Sequence, residues 1–188
     1  MIDTTFLAVS SLILLSGYAV MGRGNLVRLQ QQTHKSWALL EQPLQQRDAA
    51  LNELAPQCRQ WLPRECATLE RVLAARAELA SAFREFDVPA FGRAETLLRE
   101  ELGRLLQAAE TLPDPGAQAQ FRQLAEQIPA FEARITERGR VYNAAADFHN
   151  RQIRQFPYLL LAHLMGFRAF DRLDSATWKA TAPTAAVL

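Results

Sequence analysis

The stretch FRQLAEQIPAFEARITERGRVYNAAADFHNRQIRQFPYLLLAHLMGF, residues 121–167, decides how the chain is read. Phe121, Leu124, Ile128, Phe131, Ile135, Tyr142 and Ala145 return at helical steps and lead to Phe156, a heptad-like stripe over about five heptads. Nothing in it alternates as a strand would. Pro157 suits the first turn of a new helix and Gly166 can close it, so YLLLAHLMG forms a helical plug of about two and a half turns. That plug is too short to cross a bilayer. It either caps the open end of a helical bundle or dips into a membrane interface, with Phe156, Pro157, Leu160, Leu164, Gly166 and Phe167 as the residues concerned.

Three more stripes precede it. Leu26, Leu29, Thr33, Trp37, Leu40 and Leu44 form the first. The second runs Leu51, Leu54, Cys58 and Trp61, then Leu69, Val72, Leu79, Phe83 and Phe86; the third takes Phe91, Ala94, Leu98, Leu102, Leu105, Ala109 and Leu112. Four one-sided stripes call for an all-α, up-and-down antiparallel four-helix bundle with the plug as a short C-terminal helix. DVP at 87–89 and LPDPG at 112–116 mark two breaks, because proline excludes helix from the residue before it and glycine permits the turn. The first break has three candidates: a cap at Asp48, or a stop at Pro56 or Pro63. The fourth helix returns toward the side where the first began only if the first runs on to about Pro63. The helices are then roughly 60, 36, 35 and 60 Å long. Pro43, Pro56, Pro63 and Pro129 can otherwise be kinks inside long helices.

The first 22 residues read differently. Between Asp3 and Arg23 there is no charge, and about 19 residues as a helix span roughly 28 Å, close to a hydrocarbon core. A cleaved signal would carry a basic leader, whereas the early charge here is Asp3. An uncleaved transmembrane anchor over residues 1–22 is expected, with the bundle over 23–170 and a tail over 171–188. Arg23 and Arg28 after the span predict the N-terminus outside and the bundle in the cytoplasm. The chain carries 21 Lys and Arg against 20 Asp and Glu, so no basic field argues for a nucleic-acid partner. Cys58 and Cys66, eight apart on a helix, lie roughly 12 Å apart in rise and read as small core residues in a reducing compartment, not as a disulfide.

The opening stretch also resembles the LemA family. Its Tyr142-Asn143, His149-Asn150, Ile153, Phe156-Pro157 and Gly166-Phe167 stand where that family has a Tyr-Asn pair, an aromatic-Asn pair seven on, an Ile, Phe-Pro and Gly-Phe. Phe121, Leu124, Glu132, Arg134 and Ile135 match the lead-in to that helix. NLVRL with Trp37, then Glu65, Leu69, Val72 and Arg76, then LGRLLQAAE from Leu102, extend the likeness across the bundle. The resemblance implies a membrane-anchored four-helix bundle and no established chemistry. Three positions depart: His149 stands where the family favours Tyr, Arg64 where it often has His before Glu65, and Asn52-Glu53 where it has Pro-Asn. Any acid, base or metal work by a His-Glu pair is closed to this chain by Arg64.

Catalysis needs convergent groups, such as a nucleophile beside a base or three metal ligands on one face. His34, His149 and His163 are scattered, and no such constellation occurs. No catalytic residue, metal or cofactor is implied. Polar residues on the apolar seams are more informative: Glu65 and Arg76 on the second, Arg138 and His149 on the fourth. Buried charge must pair, solvate at an opening or snorkel. These four form either a register-fixing layer or a site for a small ligand. Asn143 and Asn150, beside Tyr142, either bond to a neighbouring helix or face a partner. The expectation is a bacterial single-pass inner-membrane protein acting as scaffold or partner-binding module for other membrane proteins. The alternatives are a small-ligand sensor using the polar layer and a non-catalytic accessory subunit of a membrane enzyme.

Overall fold

A computed structural model describes residues 2–173, with side chains in the first helix described continuously from Val20 onward. The side chains of most of the charge-free run read as an anchor, and residues 174–188 of the tail, lie outside the described residues. The described chain is all-helical, without a strand. It comprises α1 (Ile2–Ala38), α2 (Glu41–Trp61), a 3₁₀ turn at Pro63–Glu65, α3 (Cys66–Glu85), α4 (Val88–Ala109), α5 (Pro115–Ala125), α6 (Ile128–Gln152) and α7 (Tyr158–Met165).

Prolines set several of the breaks. A proline has no N–H to give the carbonyl four residues earlier and its ring crowds that carbonyl. Four residues before Pro43, Pro89 and Pro129 stand Leu39, Glu85 and Ala125. Helix α3 ends at Glu85 and α5 at Ala125, while α1 stops just before Leu39, so the first helix, expected to run on to about Pro63, is interrupted at Leu39–Leu40. Pro129 therefore divides the fourth stripe into α5 and α6, where one long helix was expected. Asp48 and Pro56 both lie inside α2, which ends at Trp61 beside Pro63. Caps fix the other ends. The Asp87 carboxylate accepts from the Ala90 N–H at 2.9 Å, and Asp114 accepts from the Gly116 N–H at 2.9 Å, each satisfying a donor that a helix start leaves open. Phe86 closes α3 at φ 58°, a left-handed conformation that costs a residue with a Cβ about 1–2 kcal/mol. The Asp87 N–H returned to the Ala82 carbonyl at 2.9 Å accompanies that turn.

The chain divides into two compact units. One joins Leu39–Val141 with residues 171–173. Its core is built on the α3–α4 hairpin, with Leu69, Val72, Ala75 and Leu79 on one helix and Phe91, Ala94, Leu98 and Leu102 on the other, all buried. The Phe83 and Phe91 rings lie 6.3 Å apart beside the turn. Helix α2 adds Leu51, Leu54 and Cys58. Cys58 is the small core residue expected, and burial pushes its thiol up to about 11. Cys66, by contrast, is exposed, because it opens α3 just after the 3₁₀ turn.

The other unit takes Met1–Ala38 and Tyr142–Phe170. Leu26 of α1 packs with Ile153 after α6 and with Leu161 and Ala162 of α7, and Tyr158 and Phe167 border the cluster. Gly22 is what lets α7 approach α1: a Cβ there would stand 2.5 Å from Leu161 Cδ1. Gly166 ends α7 at φ 72°, and the Phe167 N–H bonds to the Ala162 carbonyl at 3.0 Å.

Candidate functional site

Two residues that complete the seams of α2 and α4 are charged. Arg47 stands three after Leu44 and four before Leu51; Glu95 stands four after Phe91 and three before Leu98, so helical periodicity drives both inward. They meet in a two-pronged pair, Nη1 to Oε1 at 2.8 Å and Nη2 to Oε2 at 2.7 Å, with both side chains 0% exposed. Glu95 Oε1 also accepts from Arg99 Nε at 2.8 Å. Arg99 Nη2 donates onward to Thr136 Oγ1 at 3.1 Å and to the Glu132 carbonyl at 3.4 Å. Three helices, α2, α4 and α6, are tied through one carboxylate.

The electrostatics follow from that geometry. Burial alone would raise the Glu95 carboxyl, but Arg47 and Arg99 outweigh it and hold it below the usual range. Burial alone would lower the Arg47 guanidinium, and the Glu95 carboxylate reverses this. The Glu132 carboxyl is raised by burial, with Arg99 and Arg47 opposing. Arg99 reaches the wall of a groove of about 260 Å³ lined also by Pro129, Glu132, Ala133, Thr136, Glu137 and Arg140. Its charged lining is balanced, three carboxylates within or beside it against three guanidiniums counting Arg47. Among the described residues its lining includes Thr136 but no serine, cysteine or histidine. Among the described residues, no group of three or more His, Cys, Asp and Glu could hold a metal ion.

A second buried carboxylate, Glu101, accepts from Arg71 Nε at 2.9 Å and Arg104 Nη1 at 2.7 Å. Arg71 continues to Thr68 Oγ1 at 3.1 Å, and Thr68 donates to Glu65 Oε2 at 2.9 Å. Glu65, read from the sequence as part of a polar layer, thus sits at the half-buried end of this chain of bonds. Arg76 pairs with Asp48 at 3.1 Å and donates to Asn52 Oδ1 at 2.6 Å, bridging α3 to α2. Burial raises the Asp48 carboxyl, and Arg76 opposes that shift. Arg138 is exposed, although it falls between Ile135 and Tyr142 on the stripe. Its long stem carries the guanidinium to water. Glu65 and Arg76 therefore join separate pairs, and no layer of the four expected residues forms around Arg138.

His149 is buried in the other unit, edge-on to Phe170 at 4.9 Å. Phe170 meets His34 in the same way at 5.3 Å. Burial holds the His149 imidazole below its usual range, with the adjacent Asn150 opposing and His34 adding to the shift. Tyr142 is fully buried against Trp37, ring centroids 5.1 Å apart. Asn143 is half-buried. Asn150 clasps the backbone at Phe170, donating from Nδ2 to its carbonyl and accepting its N–H on Oδ1, both at 2.8 Å. Within the chain its target is the segment after α7 and not a neighbouring helix. A carboxamide has the donor and acceptor that an irregular segment after a helix lacks.

The plug also departs from expectation. Leu161 and Ala162 face α1 and are buried, whereas Leu160 is 64% exposed, Leu164 81% and Phe156 81%. Phe156 leaves the stripe because α6 ends at Gln152 and the chain turns before Pro157. Neither the Arg47–Glu95–Arg99 network nor Glu101 with its two arginines was among the residues singled out from the sequence. A charge at a seam position is the signal that marks Arg47 and Glu95, but the first seam was followed only to Leu44, three residues short of Arg47.

The LemA family model matches residues 36–186. That span covers most of the chain, and the chain belongs to this family. No curated protein matches it.

Proposed function

We propose that this LemA-family chain is a single-pass, membrane-anchored helical bundle that serves as a scaffold or partner-binding module for other membrane proteins and has no catalytic role of its own. The observation that carries the reading is the internal balance of its buried charge. Glu95 is claimed by Arg47 and Arg99, and Glu101 by Arg71 and Arg104. A carboxylate bonded through both oxygens to guanidiniums on its own and a neighbouring helix has its charge met inside the protein, and it holds those helices in register. Among the described residues no helix is long and apolar enough to cross a membrane. The anchor in this reading rests on the charge-free run of residues 4–22, and Arg23 and Arg28 put the bundle on the cytoplasmic side.

The test is crosslinking of the full chain in native membranes, followed by identification of what is caught. A discrete set of membrane proteins, retained when Arg47, Glu95 and Arg99 are together replaced by fitted apolar residues, supports the scaffold. Loss of that set from a variant that remains folded would favour the second reading, a small-ligand sensor. What speaks for a sensor is the groove beside Arg99, where burial raises the Glu132 carboxyl. A ligand seated there would raise the thermal midpoint, and Arg140→Ala or Glu137→Gln at the groove's rim would remove that rise.

A further inference from the structure

We infer that α7 is an interfacial helix whose outward face lies in the headgroup boundary of an anionic bilayer; the inference rests on the anchor reading above. Phe156 and Leu164 are 81% exposed, Leu160 64% and Leu159 50%, so a short helix that seats only Leu161 and Ala162 turns most of its apolar surface outward. An apolar face of that size needs an occupant. Its position names one. Helix α7 is held on α1 at Gly22, against Leu161, and at Asn25, whose Nδ2 donates to the Tyr158 hydroxyl at 3.3 Å. Those contacts begin where the charge-free run of residues 4–22 ends. From Gly22 to Asn25 the helix rises about 4.5 Å, and interfacial helices bury their apolar face about 5–10 Å into the headgroup and acyl boundary. The face therefore stands at the level where an anchored α1 leaves the hydrocarbon.

Charge points the same way. Residues 23–38 and 142–170 carry six basic side chains, Arg23, Arg28, Lys35, Arg151, Arg154 and Arg168, against the single Asp147, a net of +5. Residues 39–141 carry 13 basic against 16 acidic, a net of −3. A near-neutral protein thus concentrates its positive charge in the unit that bears α7, as attraction to anionic lipid requires. The same charge would repel a second copy brought face to face. Tyr158, half-buried at the edge of α7, has the amphipathic ring suited to that depth.

Nitroxide accessibility in the full-length protein tests this directly. With Cys66→Ser as background and the buried Cys58 left unlabelled, a spin label is placed at Leu164→Cys, at Leu160→Cys, or at the exposed Ala77→Cys of α3 as reference. The protein is reconstituted in phosphatidylcholine–phosphatidylglycerol vesicles. At 164 and 160, collision with oxygen relative to a water-soluble nickel chelate should exceed the ratio at 77 several-fold. A ratio at 164 and 160 equal to that at 77 would overturn the inference while leaving the anchor standing. Low accessibility to both quenchers would overturn it as well, because protein would then be the cover. A chain washed from the vesicles by carbonate would sink the anchor reading and this inference together.

Discussion

Arg47 and Glu95 share two hydrogen bonds of 2.8 and 2.7 Å with neither side chain exposed to water. A pair this dry is stable only while both members are present, since either charge alone would be buried without a counterion. Arg47→Met or Glu95→Leu alone should each lower unfolding free energy by about 3–5 kcal/mol in denaturant titrations. The double substitution should recover most of that loss. If single and double variants lost the same amount, the pair would not be acting as a unit.

Asn150 holds the chain after α7 by both its amide groups. Asn150→Ala should cost about 1–3 kcal/mol, because it strands the backbone N–H and carbonyl of Phe170. Hydrogen exchange should locate the effect, with the Phe170 amide losing protection while the α3–α4 hairpin keeps its own.

His149 gives stability a dependence on pH. Its folded-state pKa lies below the unfolded value near 6.5, so the unfolded chain binds the proton more readily. The stabilising contribution of neutral His149 is complete above about 6.5 and declines as pH falls from there through the folded-state pKa, at no more than about 1.4 kcal/mol per pH unit. His149→Phe should remove this component. Subtracting its unfolding free energy from that of the unsubstituted chain should leave a difference that falls below pH 6.5; a flat difference would contradict the assignment.

The two faces of α7 predict opposite outcomes for two leucines. Leu161→Ala empties a site packed against Leu26 and Ile153 and should destabilise by about 2–5 kcal/mol. Leu164→Ala, at an 81% exposed position, should stay within about 0.5 kcal/mol of the parent. The sequence singled out Leu160 and Leu164 because they are one turn apart in an all-apolar segment. It did not reveal which side faces α1, since a segment of YLLLAHLM carries no polar stripe to orient it.

Other parts were more legible. The helical stripes, the breaks at DVP and LPDPG, and the end of α2 near Pro63 follow from periodicity and from backbone groups that proline removes. Burial of Tyr142 and His149 follows from their place on the fourth stripe. The breaks before Pro43 and Pro129 were open to a kink or a full interruption, because tertiary packing can offset the missing bond, as it does at Pro56 inside α2. The ion network was hardest to see. Glu95 and Glu101 gain their roles from Arg47 and Arg71 on other helices, and such pairing depends on register between helices, which no single periodic pattern encodes.

Membrane anchorage of the intact chain is the claim on which the scaffold reading and the interfacial helix both depend. Membranes containing the full-length protein, washed with alkaline carbonate and followed by N-terminal sequencing of what remains, test it most directly. Retention in the pellet with residues 1–22 still attached is the expected result. Release into the supernatant, or a mature chain that has lost the charge-free run, would contradict it.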